Sequence, residues 1–139
     1  MEESLCKSLE FKIPADTRYV AIVRRGVRSL AQSVGFSCEE VTDMEVAVSE
    51  AVTNSVTHGS PDSDVDVVVV RCQATGKCMV VEVEDESPAE SIPSPMLTAG
   101  SCDEHGRGLA IMRELVDELE GSRTEHGMKV RLAKQKANC

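Results

Sequence analysis

Three groups of side chains in this sequence have the types and spacing to do chemistry. Glu50, Asn54 and His58 follow one another at intervals of four residues. On a helix each such step advances about 40° beyond a full turn, so a carboxylate, an amide and an imidazole share one side as a shallow spiral. Glu50 and His58 have the makings of an acid–base pair, although Glu and Asn are equally ordinary on a solvated helix face. Asp85 closes the alternating stretch Val80-Val81-Glu82-Val83-Glu84. A carboxylate at a strand end beside a loop can accept a hydrogen bond from a ligand amine, or simply begin a turn. His105-Gly106-Arg107-Gly108-Leu109 sets two glycines one residue apart at the head of an apolar helical stripe. Backbone without side chains approaches a ligand closely, and helix amides and dipole favour an anionic group such as phosphate. Arg107 lies inside that run and could reach the same phosphate. The plain alternative is a glycine-rich start to a helix.

The elements that must position these groups are legible from periodicity. Leu5, Leu9, Phe11 and Ile13 alternate with polar residues, with Lys7 interrupting the apolar set, and predict a half-buried strand ended by Pro14. Val20, Val23, Val27, Leu30, Ala31 and Val34 recur at helical spacing, with Asp16 near the start and Gly35 as C-cap. Ser37 and Glu40 have the spacing of a capping box, in which hydroxyl and carboxylate satisfy the free amides of a helix start. The helix it opens is expected to run to about His58, with Val41, Met44, Val48, Ala51, Val52 and Ser55 as its buried face and Asp43 solvated. Val65 to Cys72 and Met79 to Glu84 read as strands joined through a turn at 74–77. Residues 85–104, rich in Pro and Ser and without periodicity, are expected to form a mobile loop. Leu109, Met112, Leu115, Val116 and Leu119 predict a further helix ended by Gly121, and 124–126 with 128–132 a last hairpin around Gly127. Residues 134–139 read as a frayed tail. The order of strand, two helices, two strands, loop, helix and two strands predicts an α+β, two-layer sandwich. Its helices would cover one face of a mostly antiparallel sheet.

The 139 residues suit one domain, spanning 1–139 with a core from about 8 to 133. Fifteen Lys and Arg against 24 Asp and Glu leave a net charge of −9. That balance argues against direct binding of nucleic acid and suits either solubility or a basic partner. No apolar stretch is long enough to span a membrane, and the first residues lack the pattern of a signal peptide, so a cytoplasmic location is expected. Six cysteines, at 6, 38, 72, 78, 102 and 139, are expected to be free thiols there. Cys72 and Cys78 could face one another across a hairpin. Cys102 and His105 have CxxH spacing, but no second compact pair completes a zinc set.

Taken together and in order, these features resemble the GHKL ATPase superfamily. That superfamily joins a helix bearing E-x-x-x-N, a D-x-G-x-G box after a strand, a flexible lid, and a G-x-G box that starts a helix. Ser49-Glu50-Ala51-Val52-Thr53-Asn54, followed by His58-Gly59, is similar to the bacterial anti-sigma factor serine kinases within it. The resemblance implies ATP and magnesium (Mg2+) bound between the helices and under the lid. By position, Glu50 matches the general base, Asn54 the magnesium ligand and Asp85 the residue that reads the adenine amine. Gly106 and Gly108 match the glycines of the phosphate loop, with His105, Arg107 and Leu109 around them, and His58 ends the first motif. Oxygen donors suit a hard cation, and a carboxylate one turn away can take the proton of an attacking hydroxyl. The implied partners are a sigma factor and an anti-anti-sigma factor that is phosphorylated on Ser or Thr, with the chain as a homodimer. One departure stands out: the D-x-G-x-G box reads Asp85-Glu86-Ser87-Pro88-Ala89, with neither glycine.

The expected function is therefore a regulatory protein serine/threonine kinase of the anti-sigma type. The altered glycine box leaves a second reading, a partner-binding module with weak or no nucleotide binding. A third is an unrelated small enzyme that uses Glu50 and His58 without nucleotide.

Overall fold

In the computed structural model, residues 6–59, 67–85, 104–124 and 127–137 are described. Five strands form one antiparallel sheet: β1 (Lys7–Pro14), β2 (Val67–Ala74), β3 (Cys78–Asp85), β4 (Glu118–Arg123) and β5 (Met128–Gln135), in the spatial order β1-β2-β3-β5-β4. Among the described residues there are three α-helices: α1 (Val20–Ser33), α2 (Cys38–Asn54) and α3 (Glu104–Leu115). The strands alternate as a half-buried sheet must. Val68, Val70 and Cys72 of β2, Met79, Val81 and Val83 of β3, and Val130 and Leu132 of β5 face the core, while their neighbours along the strands, Ala133 excepted, stay partly exposed. The core fills between this face and the buried stripes of α1 (Val23, Val27, Leu30, Ala31) and α2 (Val41, Met44, Val48, Ala51, Val52). The result is the expected two-layer α+β sandwich. Among the described residues no helix is long and apolar enough to cross a membrane.

The outer face of the sheet carries a row of opposite charges across all five strands. Glu10, Arg71, Glu82, Arg131 and Glu120 are successive cross-strand neighbours. Diagonal pairs join the rows, Arg71 to Glu84 at 3.2 Å and Arg131 to Glu118 at 3.1 Å. Each exposed pair adds little, but opposite charges across strands favour this register over a slipped one.

Local signals at the helix ends hold. Gly35 has φ +90°, as a C-cap glycine does. The Ser37 amide donates to Glu40 Oε1 at 2.8 Å and the Glu40 amide to Ser37 Oγ at 3.1 Å, closing the capping box. Lys7 lies on the core-facing side of β1, opposite Ala74, and escapes burial by extending its ammonium to the Ser33 carbonyl at the end of α1.

Five expectations are corrected. Helix α3 stops at Leu115, and Leu119 and Gly121 belong to strand β4, because the Asp117 amide already pairs with the Ala133 carbonyl of β5. The last hairpin therefore begins six residues earlier than its expected start at 124, with Thr124 and Gly127 closing the turn. The tail is not frayed as far as Ala137: the Lys136 amide donates to Lys77 and the Ala137 amide to Glu40 Oε2 at 2.6 Å. Cys72 and Cys78 do not pair, since Cys72 opposes Val81 on the core face and Cys78 lies on the outer one; both are free thiols, and burial pushes Cys72 up to about 12. Asp43 is ion-paired rather than merely solvated, as described below. The expected loop falls almost wholly outside the described residues, as do Cys102 and Cys139.

Two predictions follow from this packing. A Cβ at Gly26 in α1 would lie 2.2 Å from Phe11 Cζ. Ala gains about 1 kcal/mol of helix propensity there, but the ring must move, so Gly26→Ala is expected to destabilise by about 1–2 kcal/mol in urea unfolding. In a Phe11→Leu background the same change should become stabilising. Glu40 is held below the usual glutamate range, first by the Ala137 amide and then by the Ser37 amide. A depressed folded-state value contributes stability above the unfolded-state value, about pH 4.3, and loses it as pH falls through the folded-state value. Thermal melts from pH 7 to 3 should therefore fall less steeply for Glu40→Gln than for the wild type.

Candidate functional site

The candidate site is built on the last turns of α2. Burial of Val48, Ala51 and Val52 against the sheet fixes the rotation of the helix. Glu50 and Asn54 then fall at its margin, both half-buried and about 6 Å apart along the axis. The Asn54 side-chain nitrogen is buried and has no hydrogen-bond partner among the described residues. A buried amide without a partner costs free energy, so such groups mark places reserved for a ligand or water. After Asn54 the backbone widens into a π-turn, Ser55–Gly59. The expected regular helix to His58 is thus broken one residue past Asn54. His58 leaves the four-residue spiral, because a π-turn closes on the fifth residue rather than the fourth.

The packing partners of Lys134 orient the rest. Lys134 lies opposite Met79 on the helix-covered face of β5. Its Nζ donates to the Leu115 carbonyl, the last residue of α3, at 2.8 Å and pairs with Asp43, near the start of α2, at 3.4 Å. The start of α2 and the end of α3 therefore meet at one end of the sandwich, and the two packed helices run in opposite senses. Their other ends share the opposite end of the molecule. There the π-turn packs on β3, and Asp85 ends β3 opposite Met128, six residues or about 20 Å from Met79. The backbone of His105 to Leu109 occupies the first turns of α3 at that end, the helix having begun at Glu104 rather than at Gly106. Asp85 is 7% exposed and already engaged by a neighbour. Glu50, Asn54, Asp85 and the glycine backbone of α3 thus lie toward the same end of the sandwich, where α2 and α3 pack side by side.

One buried carboxylate escapes the pattern search. Glu45 of α2 is 4% exposed and is met from α1 by Arg28, whose Nε bonds its Oε2, and by Arg24 at 3.8 Å. Together with Ala21 and Arg25 they line a groove of about 220 Å³ between α1 and α2 that holds none of the expected site residues. The signal available was Arg24 and Arg28 at a four-residue interval beside the valine stripe, which alone reads as solvated surface. The net charge of −9 is therefore uneven, with three arginines gathered on α1.

Comparison with known proteins places the fold in a family. The model of the histidine kinase-like ATPase domain matches residues 13–134. A serine-protein kinase RsbW of Bacillus velezensis is 30% identical, covering 88% of this chain and 92% of its own. An anti-sigma F factor of Clostridium novyi is 31% identical over 76% of this chain and 77% of its own. A crystal structure of RsbU and RsbW domains from Mycobacterium tuberculosis superposes with a TM-score of 0.71 at 20% identity, over 96% of this chain but only 34% of that longer one, and bears on the fold alone. The chain belongs to the histidine kinase-like ATPase domain family.

The buried carboxylate yields a test. Arg28 is 56% exposed, so the pair is partly screened. Arg28→Ala should still lower the midpoint of urea unfolding, because it leaves Glu45 buried with one distant cation. Adding Glu45→Gln should restore part of that loss, the non-additivity of a coupled pair.

Proposed function

We propose that this protein is a cytoplasmic regulatory serine/threonine kinase of the anti-sigma type, which binds ATP with magnesium in the α2–α3 cleft. By this reading it sequesters a sigma factor and phosphorylates a Ser or Thr of an anti-anti-sigma antagonist. The observation that carries the reading is the buried side-chain nitrogen of Asn54, without a partner among the described residues, one turn beyond Glu50 and toward the end of α2 where α3 begins. The names carried by relatives of similar length, serine-protein kinase and anti-sigma factor, support the same activity.

The donor set fits the group. Asn54 would hold magnesium through its amide oxygen, leaving the nitrogen to donate to a phosphate or water. The metal, when bound, would offset the negative charge of the phosphates. The first turn of α3, with Gly106, Arg107 and Gly108 and with His105 and Leu109 beside them, would receive the phosphates on its free amides. Asp85 would accept from the adenine amine. Glu50 would take the proton of the partner's hydroxyl as its oxygen attacks, a role for a half-buried carboxylate at the margin of an apolar face. His58 would lie at the rim.

Glycine is absent from Ser87 and Ala89, positions where the resemblance puts it, and this favours one further reading: a partner-binding module that takes nucleotide weakly or not at all. Calorimetry with ATP and magnesium separates the two. The kinase reading expects saturable binding, lost on Asn54→Ala, and transfer of labelled phosphate to an antagonist that Glu50→Ala lowers at least about 100-fold with binding intact. No heat at millimolar nucleotide would leave the module.

A further inference from the structure

We infer that Lys134 is a positioning residue for the α2–α3 cleft: a half-buried ammonium that pins the two walls together at the closed end and so sets their separation at the open end. The inference rests on the reading of that cleft as the nucleotide site. Lys134 stands on the apolar face of β5, between Leu132 and the chain end, where the alternation of the strand calls for another hydrophobic side chain. Its side chain is only 13% exposed. Burying an ammonium is costly unless its protons are used. Here they are used on two different helices, the Leu115 carbonyl of α3 at 2.8 Å and the Asp43 carboxylate of α2 at 3.4 Å.

Each contact answers a need of its helix. The end of α3 has no glycine cap: Val116 makes one last helical bond to Met112, and Asp117 turns straight into the sheet. The carbonyl at Leu115 would otherwise be left over, and a cation there also complements the negative end of the helix dipole. Asp43 lies on the second turn of α2, beyond the capping box, and has no role in starting the helix. One side chain therefore ties the end of one wall to the start of the other, and the sheet that carries it makes the third point of attachment.

The geometry makes this clamp matter at a distance. Helix α3 has 12 residues and is about 18 Å long. A tilt of about 5° around its clamped end moves its first turn by about 1.5 Å relative to Asn54. Displacements of about 1 Å at a reacting centre are enough to cost on the order of 100-fold in rate. The hydrogen bond and ion pair of Lys134 go to Leu115 and Asp43, neither of them a site residue, so its effect passes through the two helices.

The test uses the full chain and has two arms. In hydrogen exchange without nucleotide, Lys134→Met should speed exchange of the α3 amides at least 10-fold while β2 and β3 amides keep their wild-type rates. In calorimetry, the same variant should bind ATP and magnesium about 10-fold more weakly. Lys134→Arg, which can still donate to both partners, should return to within about 3-fold of wild type in both arms. Asp43→Asn should give an intermediate loss in a folded protein, which guards against Lys134→Met failing to fold. Unchanged α3 exchange in Lys134→Met would overturn the clamp. Faster exchange with unaltered affinity would overturn its positioning role. If the wild type takes up no nucleotide, the reading of the cleft falls and the clamp is judged on exchange alone.

Discussion

Helix α2 must bury one continuous stripe, and most of the molecule is arranged around that requirement. Val41, Met44, Val48, Ala51 and Val52 are all 5% exposed or less, so the helix can adopt only one rotation on the sheet. With that rotation set, the polar residues at its flank have no freedom either. Glu50 and Asn54 are carried to the margin of the core whether or not anything is bound there. Glu45, on the other flank, is driven into contact with α1, where Arg24 and Arg28 compensate it. The same burial that stabilises the fold thus sets a carboxylate–amide pair at the margin of the core, at the cost of leaving the Asn54 nitrogen unpaired among the described residues.

Cations at the closed end then anchor what the stripe orients. The end of α1 receives two lysine ammoniums, Lys7 from β1 and Lys136 from the tail, each 3.5 Å from a terminal carbonyl. The start of α2 receives the Ala137 amide on Glu40, and the end of α3 receives Lys134. All three helices are therefore tied at their closed ends to β1, to β5 or to the residues that follow β5. The opposite end has the π-turn after Asn54 and the start of α3, where backbone bonding is less regular.

The outer face of the sheet shows how a strongly acidic chain avoids self-repulsion. Its row of Glu10, Arg71, Glu82, Arg131 and Glu120 alternates in sign at every strand. The excess negative charge must lie elsewhere on the molecule, and the arginines of α1 show that it is not spread evenly. Electrostatic matching to a partner is therefore a question of which face is presented, and net charge alone does not answer it.

Sequence alone determined whatever depends on neighbours along the chain. The capping box at Ser37 and Glu40, the stripes of α1 and α2, the C-cap at Gly35, the two-layer class and the order of motifs were all legible, because helix and strand periods and cap chemistry are local. Errors came where a distant residue decided. Leu119 fits the stripe of α3 perfectly well, yet pairing of Glu118–Arg123 with β5 ends the helix first. Asp43 looks like a solvated acid until Lys134, 91 positions away, is folded against it. The tail looks disordered because Glu40, its anchor, is 97 residues distant. Which faces meet, which charges are buried, and which ends of α2 and α3 share the cleft are set by the sheet register, and that is a property of pairs of segments that no single stretch of sequence contains.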